Sequence, residues 1–460
     1  MLFERIESAG LAHYSYLIGD GNEAAVIDPR RDANVYVEKA NRSGMQITHV
    51  LETHRNEDYV IGSLELAEVT GATVLHGGAS DLDYCYGESI GHGETINVGR
   101  LRLKALHTPG HTMGHMSYLL HDADGEPWIV FTGDALFAGD VGRTDFYGAD
   151  RLDEITGILY DTLFQKLLPL GDEVIVCPAH GAGSVCGSGI AERTWTTIGL
   201  ERKHNPRLQF TDKEAFVENV GKMLEYPPYF RMMEALNLEG PPLMGLGDCA
   251  EPPAVPPLPP YAFAAEATDA QVVDTRAEVS FGAAHVPGAL SIWETGLPSF
   301  AGWFLTYDRP ILLVTDGNDV GDSVRYLMRM GYDKIAGFLA GGMLAWHKAG
   351  LTSESIETIT VQELCHRLDR STDDEEPWIL DVRSAEEAEE KEIPTAHRIH
   401  LTQLPDRMDD ALEGQRVYIF CGSGLRSMLA ASLLQRAGYD KLTVVLGGLA
   451  GWSSVSCPLE

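Results

Sequence analysis

The sequence predicts an α/β protein of several domains, and three observations support this expectation. Apolar patterns of strand and helix type alternate along the first half of the 460-residue chain. A proline-rich segment then interrupts them. Beyond that segment, a set of short motifs occurs twice at a spacing of about one hundred residues, which indicates two copies of one domain.

The first domain is predicted to span residues 1–240. Residues 14–18 and 24–29 have strand patterns, and residues 60–69 have a helical one. Residues suited to catalysis fall between such patterns, in turns rich in Gly, Pro and Thr. We therefore expect the functional groups of this domain to lie on loops that a rigid sheet holds in place.

Several of these turns carry side chains that bind metals in proteins. The segments are Thr53-His54-Arg55-Asn56-Glu57-Asp58-Tyr59, His107-Thr108-Pro109-Gly110-His111 and Thr132-Gly133-Asp134, with a later histidine at His180. A single such histidine is usually an ordinary polar residue, whereas several together favour a metal site. The candidate residues are His54, Asp58, His111, Asp134 and His180.

This order of residues resembles the metallo-β-lactamase superfamily, whose first motif is usually His-x-His-x-Asp-His. The resemblance implies an αββα sandwich for the first domain. Asn56 and Tyr59 stand where that motif has two histidines. An amide and a phenol are poor zinc ligands near neutral pH, which argues against a two-zinc hydrolase.

His54, His111 and Asp134 are retained. Two histidines and one carboxylate form the facial set of mononuclear non-haem iron oxygenases. The chain thus resembles the persulfide dioxygenase branch of the superfamily, which implies one Fe(II) per chain on these three residues. Asp58 and His180 are then expected to orient ligands or bound water.

The segment Gly142-Arg143-Thr144-Asp145-Phe146 also matches that branch. The resemblance implies that Arg143 helps to bind the substrate near the iron. A pairing of Arg143 with Asp145 that braces the loop explains the same residues equally well.

The proline-rich segment spans residues 241–262 and contains four Pro-Pro pairs. Such a stretch is extended and semi-rigid, so we predict a linker that separates domains. Residues 263–355 and 356–460 follow as the two predicted repeats.

The repeats share several motifs. Asp274-Thr275-Arg276 is echoed by Asp381-Val382-Arg383, and the Gly-Gly pair at 341–342 is echoed by the pair at 447–448. Each repeat alternates strand and helix patterns, which predicts a small parallel-sheet α/β domain. Both repeats resemble rhodanese, a family of sulfurtransferases.

The second repeat contains the candidate catalytic residues for sulfur transfer. Its apolar strand runs into Cys421-Gly422-Ser423-Gly424-Leu425-Arg426, the Cys-x-x-Gly-x-Arg form of the rhodanese loop. Small residues at a helix N-terminus direct several N–H groups at one point, which favours a thiolate. We expect Cys421 and Arg426 to be catalytic, and Gly422, Ser423 and Gly424 to bind substrate. No cysteine lies between Pro310 and Gly331, so the first repeat is predicted to be inactive.

Composition narrows the choice of partners and compartment. The formal net charge of −33 disfavours nucleic acid and anionic membranes as partners. No apolar run approaches the roughly 20 residues of a membrane span, and no secretory signal is visible at the start of the sequence. Seven cysteines, an odd number, do not suggest a disulfide framework. We expect a cytoplasmic homo-oligomer whose size the sequence does not fix.

The leading hypothesis is Fe(II)-dependent oxidation of a low-molecular-weight thiol persulfide by dioxygen to sulfite. Sulfur transfer at Cys421 would then give thiosulfate, as a route of sulfide detoxification. The sequence leaves the carrier thiol open between glutathione, coenzyme A and another thiol. One alternative is a thioester hydrolase of the glyoxalase II type with two zinc ions. A second alternative is a persulfide carrier or sensor without catalysis.

Overall fold

A computed structural model describes residues 1–78, 82–187, 189–245, 253–370, 378–391, 393, 395–410 and 416–452. The chain divides into two compact units, one of residues 1–253 with 325–332 and one of the other residues from 254 onward. Of the predicted linker, residues 246–252 lie outside the described ranges. So do residues 371–377, 392, 394, 411–415 and 453–460 of the predicted last domain.

The first unit contains two six-stranded sheets, ordered β1-β2-β3-β4-β5-β6 and β12-β11-β10-β9-β8-β7. The strands are β1 (Leu2–Ser8), β2 (His13–Asp20), β3 (Glu23–Ile27), β4 (Gln46–Leu51), β5 (Thr73–Gly77), β6 (Glu88–Ile90), β7 (Thr95–Val98), β8 (Leu101–His107), β9 (Met116–His121), β10 (Pro127–Gly133), β11 (Ile175–Pro178) and β12 (Thr196–Thr197).

The helices of this unit come mostly between or after these strands. They are α1 (Asn34–Arg42), α2 (Ser63–Thr70), α3 (Leu152–Asp161), α4 (Ile198–His204), α5 (Lys213–Val220) and α6 (Phe230–Glu239). A π-helical turn, Thr162–Leu167, continues α3. Thr197 and Asp212 cap the N-termini of α4 and α5 with their side-chain oxygens, as expected for these residue types.

Three apolar layers arrange these elements as an αββα sandwich. Tyr16, Ile27, Tyr118 and Phe131 belong to a core formed by one face of each sheet. The other face of the first sheet packs with α1 and α2, and the other face of the second sheet packs with α3. The period-2 alternation of the strands therefore separates residues that face the other sheet from residues that face the helices.

The second unit contains two five-stranded sheets. Its strands are β13 (Pro257–Leu258), β14 (Gln271–Asp274), β15 (Leu290–Ser291), β16 (Ile311–Val314), β17 (Ile335–Leu339), β18 (Glu357–Thr360), β19 (Trp378–Asp381), β20 (His397–Arg398), β21 (Val417–Phe420) and β22 (Leu442–Leu446). Its helices are α7 (Pro260–Glu266), α8 (Glu278–Ala283), α9 (Leu297–Phe304), α11 (Gly342–Lys348), α12 (Val361–Arg370), α13 (Ala385–Glu390), α14 (Leu425–Arg436) and α15 (Gly448–Trp452). Helix α10 (Gly321–Arg329) begins in this unit, and its residues from 325 onward belong to the first unit.

The two sheets of this unit have the same topology, with strand orders β13-β17-β16-β14-β15 and β18-β22-β21-β19-β20. Every pairing within them is parallel. The predicted pair of parallel-sheet α/β repeats is thereby confirmed. Parallel sheets covered by helices require strands that are apolar on both faces, as the fully buried strands β16 and β21 are.

The structure departs from the predicted linker at its C-terminal end. Strand β13 pairs in parallel with β17, and α7 begins at Pro260. β13 is an edge strand, where a proline is tolerated because no neighbouring strand needs its missing N–H group. The Pro-rich composition therefore does not exclude an edge strand and a helix N-terminus at residues 257–262.

No helix within the described parts of the chain is both long enough and apolar enough to cross a membrane.

Candidate metal centre and sulfur-transfer loop

The candidate metal ligands lie on loops at one edge of the sandwich. β8 and β10 both run antiparallel to β9, and β11 runs parallel to β10, so the carboxyl ends of β8, β10 and β11 lie at the same edge. His111 follows β8, Asp134 follows β10, and His180 follows β11. His54 follows β4 of the other sheet. The fold thus brings together residues that are far apart in the sequence.

The structure places His54, His111 and Asp134 together with a fourth residue, Glu57. One donor atom from each of these buried side chains lies within 4.8 Å of the others. Nε2 of His54 and Nε2 of His111 lie 3.7 Å and 3.6 Å from Oδ2 of Asp134. Oε1 of Glu57 lies 3.1 Å from Nε2 of His111. We call these four residues the central cluster.

Both histidines of the cluster are held through Nδ1, which leaves Nε2 facing the centre. Nδ1 of His54 lies 2.8 Å from the hydroxyl of Thr53. Nδ1 of His111 donates to the carbonyl of Arg143 at 3.0 Å. Burial and the neighbouring imidazoles hold the pKa of His54 well below its usual value, so this ring is neutral. A neutral imidazole oriented by its other nitrogen is the form that binds metals.

The central cluster fits a metal ion. Nε2 of His54, Nε2 of His111 and Oε2 of Glu57 are buried polar atoms without a hydrogen bond, an arrangement that is costly unless something satisfies them. Donors that share one ion at about 2.1 Å are roughly 3 to 4 Å apart, and the three distances given above, 3.1, 3.6 and 3.7 Å, fall in that range. Nitrogen and carboxylate donors together suit a divalent first-row metal.

Asp58 and His180 form a second group beside the cluster, together with Cys186. Nε2 of His180 lies 2.9 Å from Asp58, and Nδ1 of His180 lies 2.8 Å from Asp134. Burial disfavours a charged imidazole, but the two carboxylates outweigh it and hold the pKa of His180 well above its usual value. His180 thus links Asp58 to a member of the central cluster.

Neither residue that replaces a motif histidine enters the central cluster. The amide nitrogen of Asn56 lies 3.3 Å from the carbonyl oxygen of His54. Tyr59 is fully buried, and its ring lies 4.0 Å from that of His13, centre to centre. Burial also raises the pKa of the Tyr59 hydroxyl well above its usual value, so the phenol stays neutral.

Arg143 lies next to the cluster, but its guanidinium is occupied. It pairs with both carboxylate oxygens of Asp145 at 2.7 and 2.8 Å and also contacts the carbonyl of Glu225. The side chain is 2% exposed. These contacts match the bracing role for Arg143, and its backbone carbonyl orients His111. Direct contact of Arg143 with substrate stays a prediction.

Sequence reasoning missed Glu57, Cys186 and His115. Glu57 stands at a variable position of the motif, so only its side-chain direction reveals it. Nε2 of His115 accepts a hydrogen bond from the backbone N–H of Asp134 at 3.1 Å. The ring of His115 also stacks on that of His54. The sequence signal that could have indicated His115 is the presence of a second histidine in the segment 111–115.

Two glycines allow the loops to approach this closely. Gly110 has a φ of 137°, and a Cβ there would lie 2.6 Å from Cβ of Leu159 on α3. A Cβ on Gly142 would overlap the carbonyl oxygen of Asp134. The Thr-Pro-Gly-His and Gly-Arg turns therefore need glycine for packing around the cluster.

In the second unit, Cys421 follows β21 and precedes α14. The backbone N–H of Gly424 donates to Sγ of Cys421 at 3.1 Å. A Cβ on Gly448 would overlap the carbonyl oxygen of Cys421, so the Gly-Gly turn lies directly against this loop. Such a donor at a helix N-terminus stabilises a thiolate or a bound anion.

The guanidinium of Arg426 is paired with Glu387 of α13 through two contacts of 2.6 Å. Glu387 also completes a capping box with Ser384. This pair lowers the pKa of Glu387 to about 2 and keeps the carboxylate charged. The positive charge of Arg426 is therefore balanced by the carboxylate of Glu387.

The corresponding turn of the first repeat holds no thiol. Its strand β16 leads into Thr315, whose hydroxyl bonds to the carbonyl of Gly317. Asn318 accepts a hydrogen bond from the backbone of Gly341. These side chains stabilise the turn itself, and the inactivity of this copy stays a prediction.

Comparison with known families agrees with these two sites. Residues 9–180 match the family model described as "Metallo-beta-lactamase superfamily". Residues 262–349 and 360–455 each match the model described as "Rhodanese-like domain". The residues matched by the first model include the central cluster, and the residues matched by the second model include most strands of the two parallel sheets of the repeats.

Proteins with different activities are among those similar to this chain. Persulfide dioxygenase ETHE1 of Bos taurus is 31% identical, over 46% of this chain and 76% of that protein. Hydroxyacylglutathione hydrolase GloC of Haemophilus influenzae is 29% identical, over 42% of this chain and 91% of that protein. A solved metallo-beta-lactamase from Staphylococcus aureus is 28% identical, with a TM-score of 0.65 over 74% of this chain and 99% of its own.

Proposed function

Because this chain belongs to the metallo-beta-lactamase superfamily, as a relative of the persulfide dioxygenases joined to two rhodanese-like domains, we propose that it oxidises a thiol persulfide. The substrate is the persulfide of a low-molecular-weight thiol, R–S–SH, and the second substrate is dioxygen. With one water, the outer sulfur leaves as sulfite with two protons, and the thiol R–SH is released. Sulfur transfer at Cys421 then gives thiosulfate.

The observation that carries this proposal is the pairing of His54 and His111 with Asp134 at 3.6 to 3.7 Å. Two imidazoles and one carboxylate are the donor set of mononuclear iron dioxygenases. When bound, one Fe(II) per chain would supply the redox chemistry with dioxygen and open positions for substrate. The protein supplies orientation, through the contacts of Thr53 and Arg143 on the two imidazoles.

The side chains of Asn56 and Tyr59 support one metal rather than two. Asn56 contacts a backbone carbonyl, and Tyr59 is a buried neutral phenol. Asp58 and His180 bind each other at 2.9 Å. In this proposal His180 orients Asp134, and Asp58 holds His180 in place.

The sulfur-transfer step balances as a pair of displacements at Cys421. The thiolate attacks the outer sulfur of a persulfide, which breaks the S–S bond and releases the thiol. Sulfite then attacks the outer sulfur of the Cys421 persulfide, forms thiosulfate and returns the thiolate. The N–H of Gly424 stabilises the thiolate, and Arg426 contributes positive charge for the anionic acceptor.

The test is oxygen uptake by the full chain after anaerobic reconstitution with Fe(II). Glutathione persulfide and coenzyme A persulfide are the substrates, and His111→Ala is the control. We expect uptake that the control lacks, and the faster substrate identifies the carrier. In Cys421→Ser, uptake should persist while the product shifts from thiosulfate to sulfite. Unchanged thiosulfate yield in that variant would refute the coupling of the two sites.

A thioester hydrolase is the second candidate, because the hydroxyacylglutathione hydrolase relative matches over a similar length. Such an enzyme needs metal-bound hydroxide, usually from two zinc ions in this superfamily. Metal analysis and a thioester assay separate the two: about two zincs per chain with thioester turnover, and no oxygen uptake, favour the hydrolase. Persulfide on Cys421 without either activity would favour a carrier or sensor.

A further inference from the structure

The carboxylate of Glu57 is buried in the central cluster. Its side chain is fully buried. Oε1 lies 3.1 Å from Nε2 of His111 and 3.4 Å from Sγ of Cys186, and Oε2 has no hydrogen-bond partner. Among the residues that the structure describes, no lysine or arginine pairs with Glu57. A buried carboxylate without a compensating charge is strongly unfavourable.

The hydrogen-bond pattern around His111 makes the contact with Glu57 informative. Nδ1 of His111 donates to the carbonyl of Arg143, so in its neutral form the ring has a lone pair at Nε2. That lone pair and the carboxylate oxygen of Glu57 are both acceptors, and they lie 3.1 Å apart. Two acceptors at this distance repel each other unless a cation lies between them.

We propose that Glu57 is a fourth protein ligand of the metal that His54, His111 and Asp134 bind. This inference rests on the metal site of the proposed function and goes beyond its three-residue ligand set. Asn56, at the histidine position of the motif, contacts the carbonyl of His54. The next residue along the chain supplies a donor to the cluster instead.

A second carboxylate changes what the site can do. Two neutral imidazoles and two carboxylates balance the charge of a divalent ion, whereas one carboxylate leaves a net positive charge. A fourth protein ligand would also leave one open position fewer on a bound metal for substrate, dioxygen and water.

An ion pair is the competing explanation of the same contact. A doubly protonated His111 would donate Nε2–H to Glu57 and satisfy it without any metal. The two explanations differ in what removal of the carboxylate does to metal affinity: the ligand role predicts a loss, whereas the ion pair predicts no change or a gain, because Glu57 would no longer compete for His111.

The experiment titrates the metal-free full chain with Co(II) under anaerobic conditions and follows its visible absorption. Glu57→Gln keeps the shape of the side chain and removes the charge. We expect it to weaken Co(II) binding by at least about 10-fold, the loss seen even for outer partners of metal ligands, and to alter the absorption bands. Glu65→Gln is the matched control, because Glu65 is a buried glutamate on α2 that bonds to the backbone of Met244. Wild-type affinity and an unchanged spectrum in Glu57→Gln would overturn the proposal.

A second measurement covers the case in which Glu57→Gln does not fold. X-ray absorption at the cobalt edge of the wild-type protein counts nitrogen and oxygen neighbours, and infrared spectra report whether a second carboxylate is bound. Two bound carboxylates support the proposal, and one contradicts it. Neither readout uses oxygen uptake, so an enzyme without dioxygenase activity could still show Glu57 as a ligand. Conversely, these measurements could show that Glu57 does not bind the metal in a protein that has dioxygenase activity.

Discussion

The hydroxyl of Thr53 lies 2.8 Å from Nδ1 of His54. When Asp28 is ionised, the same hydroxyl donates its proton to Oδ2 of Asp28 at 2.7 Å, so its oxygen is free to accept from the imidazole. This chain of contacts fixes both the orientation of the ring and the nitrogen that carries its proton. Nε2 of His54 is then the atom left for a metal.

Thr53→Val should weaken metal binding at the central cluster by about 10- to 100-fold, the range found for such outer partners. The isosteric side chain keeps the volume but removes the oxygen that holds Nδ1 of His54. Co(II) titration of the metal-free protein measures the loss. Thr53→Ser keeps the hydroxyl and should bind as wild type. Equal losses in both variants would show that packing, and not the hydrogen bond, is responsible.

Asp28 gives a prediction for the pH dependence of stability. Its side chain is buried, and burial, together with the nearby charge of Asp134, raises its pKa to about 7. The unfolded value is about 3.9. Since the folded pKa is the higher one, the folded state retains the proton, and this stabilisation is present in full below about pH 4 and lost as the pH rises through about 7.

The metal-free protein should therefore become less stable, relative to Asp28→Asn, by up to about 4 kcal/mol between about pH 4 and pH 8. Asparagine does not titrate in this range, and it tolerates the φ of 49° at this position. Denaturant unfolding of both proteins across the range measures the difference. Parallel stability curves would contradict the raised pKa of Asp28.

The sequence predicted which loops form the metal site better than it predicted which residues of those loops belong to the central cluster. His54, His111 and Asp134 stand in motifs with fixed spacing, and the structure places them together. Glu57 could not be predicted, because a variable position of a motif gives no side-chain direction. Cys186 approaches the cluster only through the fold of a loop after His180.

The prediction of strands and domains from the sequence was limited for a similar reason. The internal repeat predicted two like domains, since matching motifs require matching strands. Proline composition does not predict strand register, so the edge strand at Pro257–Leu258 falls within the predicted linker. The cysteine missing from the first repeat is visible in the sequence, whereas the pairing of Arg426 with Glu387 required the structure.

Gly448→Ala should impair sulfur transfer and leave oxygen uptake intact. The added Cβ would overlap the carbonyl of Cys421, and the φ of 44° adds strain for a non-glycine residue. Displacing the loop by about 1 Å can lower a rate roughly 100-fold. Thiosulfate sulfurtransferase assays measure the change. Gly438→Ala is the control, because it has a similarly unusual φ of 98° but no atom within 4 Å of the new Cβ. A comparable loss in the control would attribute the effect to backbone strain alone.

Glu387→Gln should lower the KM for thiosulfate by up to about fivefold with little change in kcat. The carboxylate neutralises the guanidinium of Arg426, which an anionic substrate would otherwise contact. Glu387 is 40% exposed, and half-exposed ion pairs contribute about 1 kcal/mol or less, which limits the effect. Since the pKa of Glu387 is about 2, the pair stays charged throughout a neutral assay range, and the effect should not depend on pH there.

The neighbouring Glu386 provides the matched control for this variant, because it lies on the same helix and is exposed. Glu386→Gln changes the net charge by the same amount, so it corrects for the general effect of the acidic chain on an anionic substrate. A higher KM in Glu387→Gln alone would mean the opposite of our expectation. The carboxylate would then serve to hold Arg426 in its binding position, and the charge balance at the loop would be secondary to that orientation.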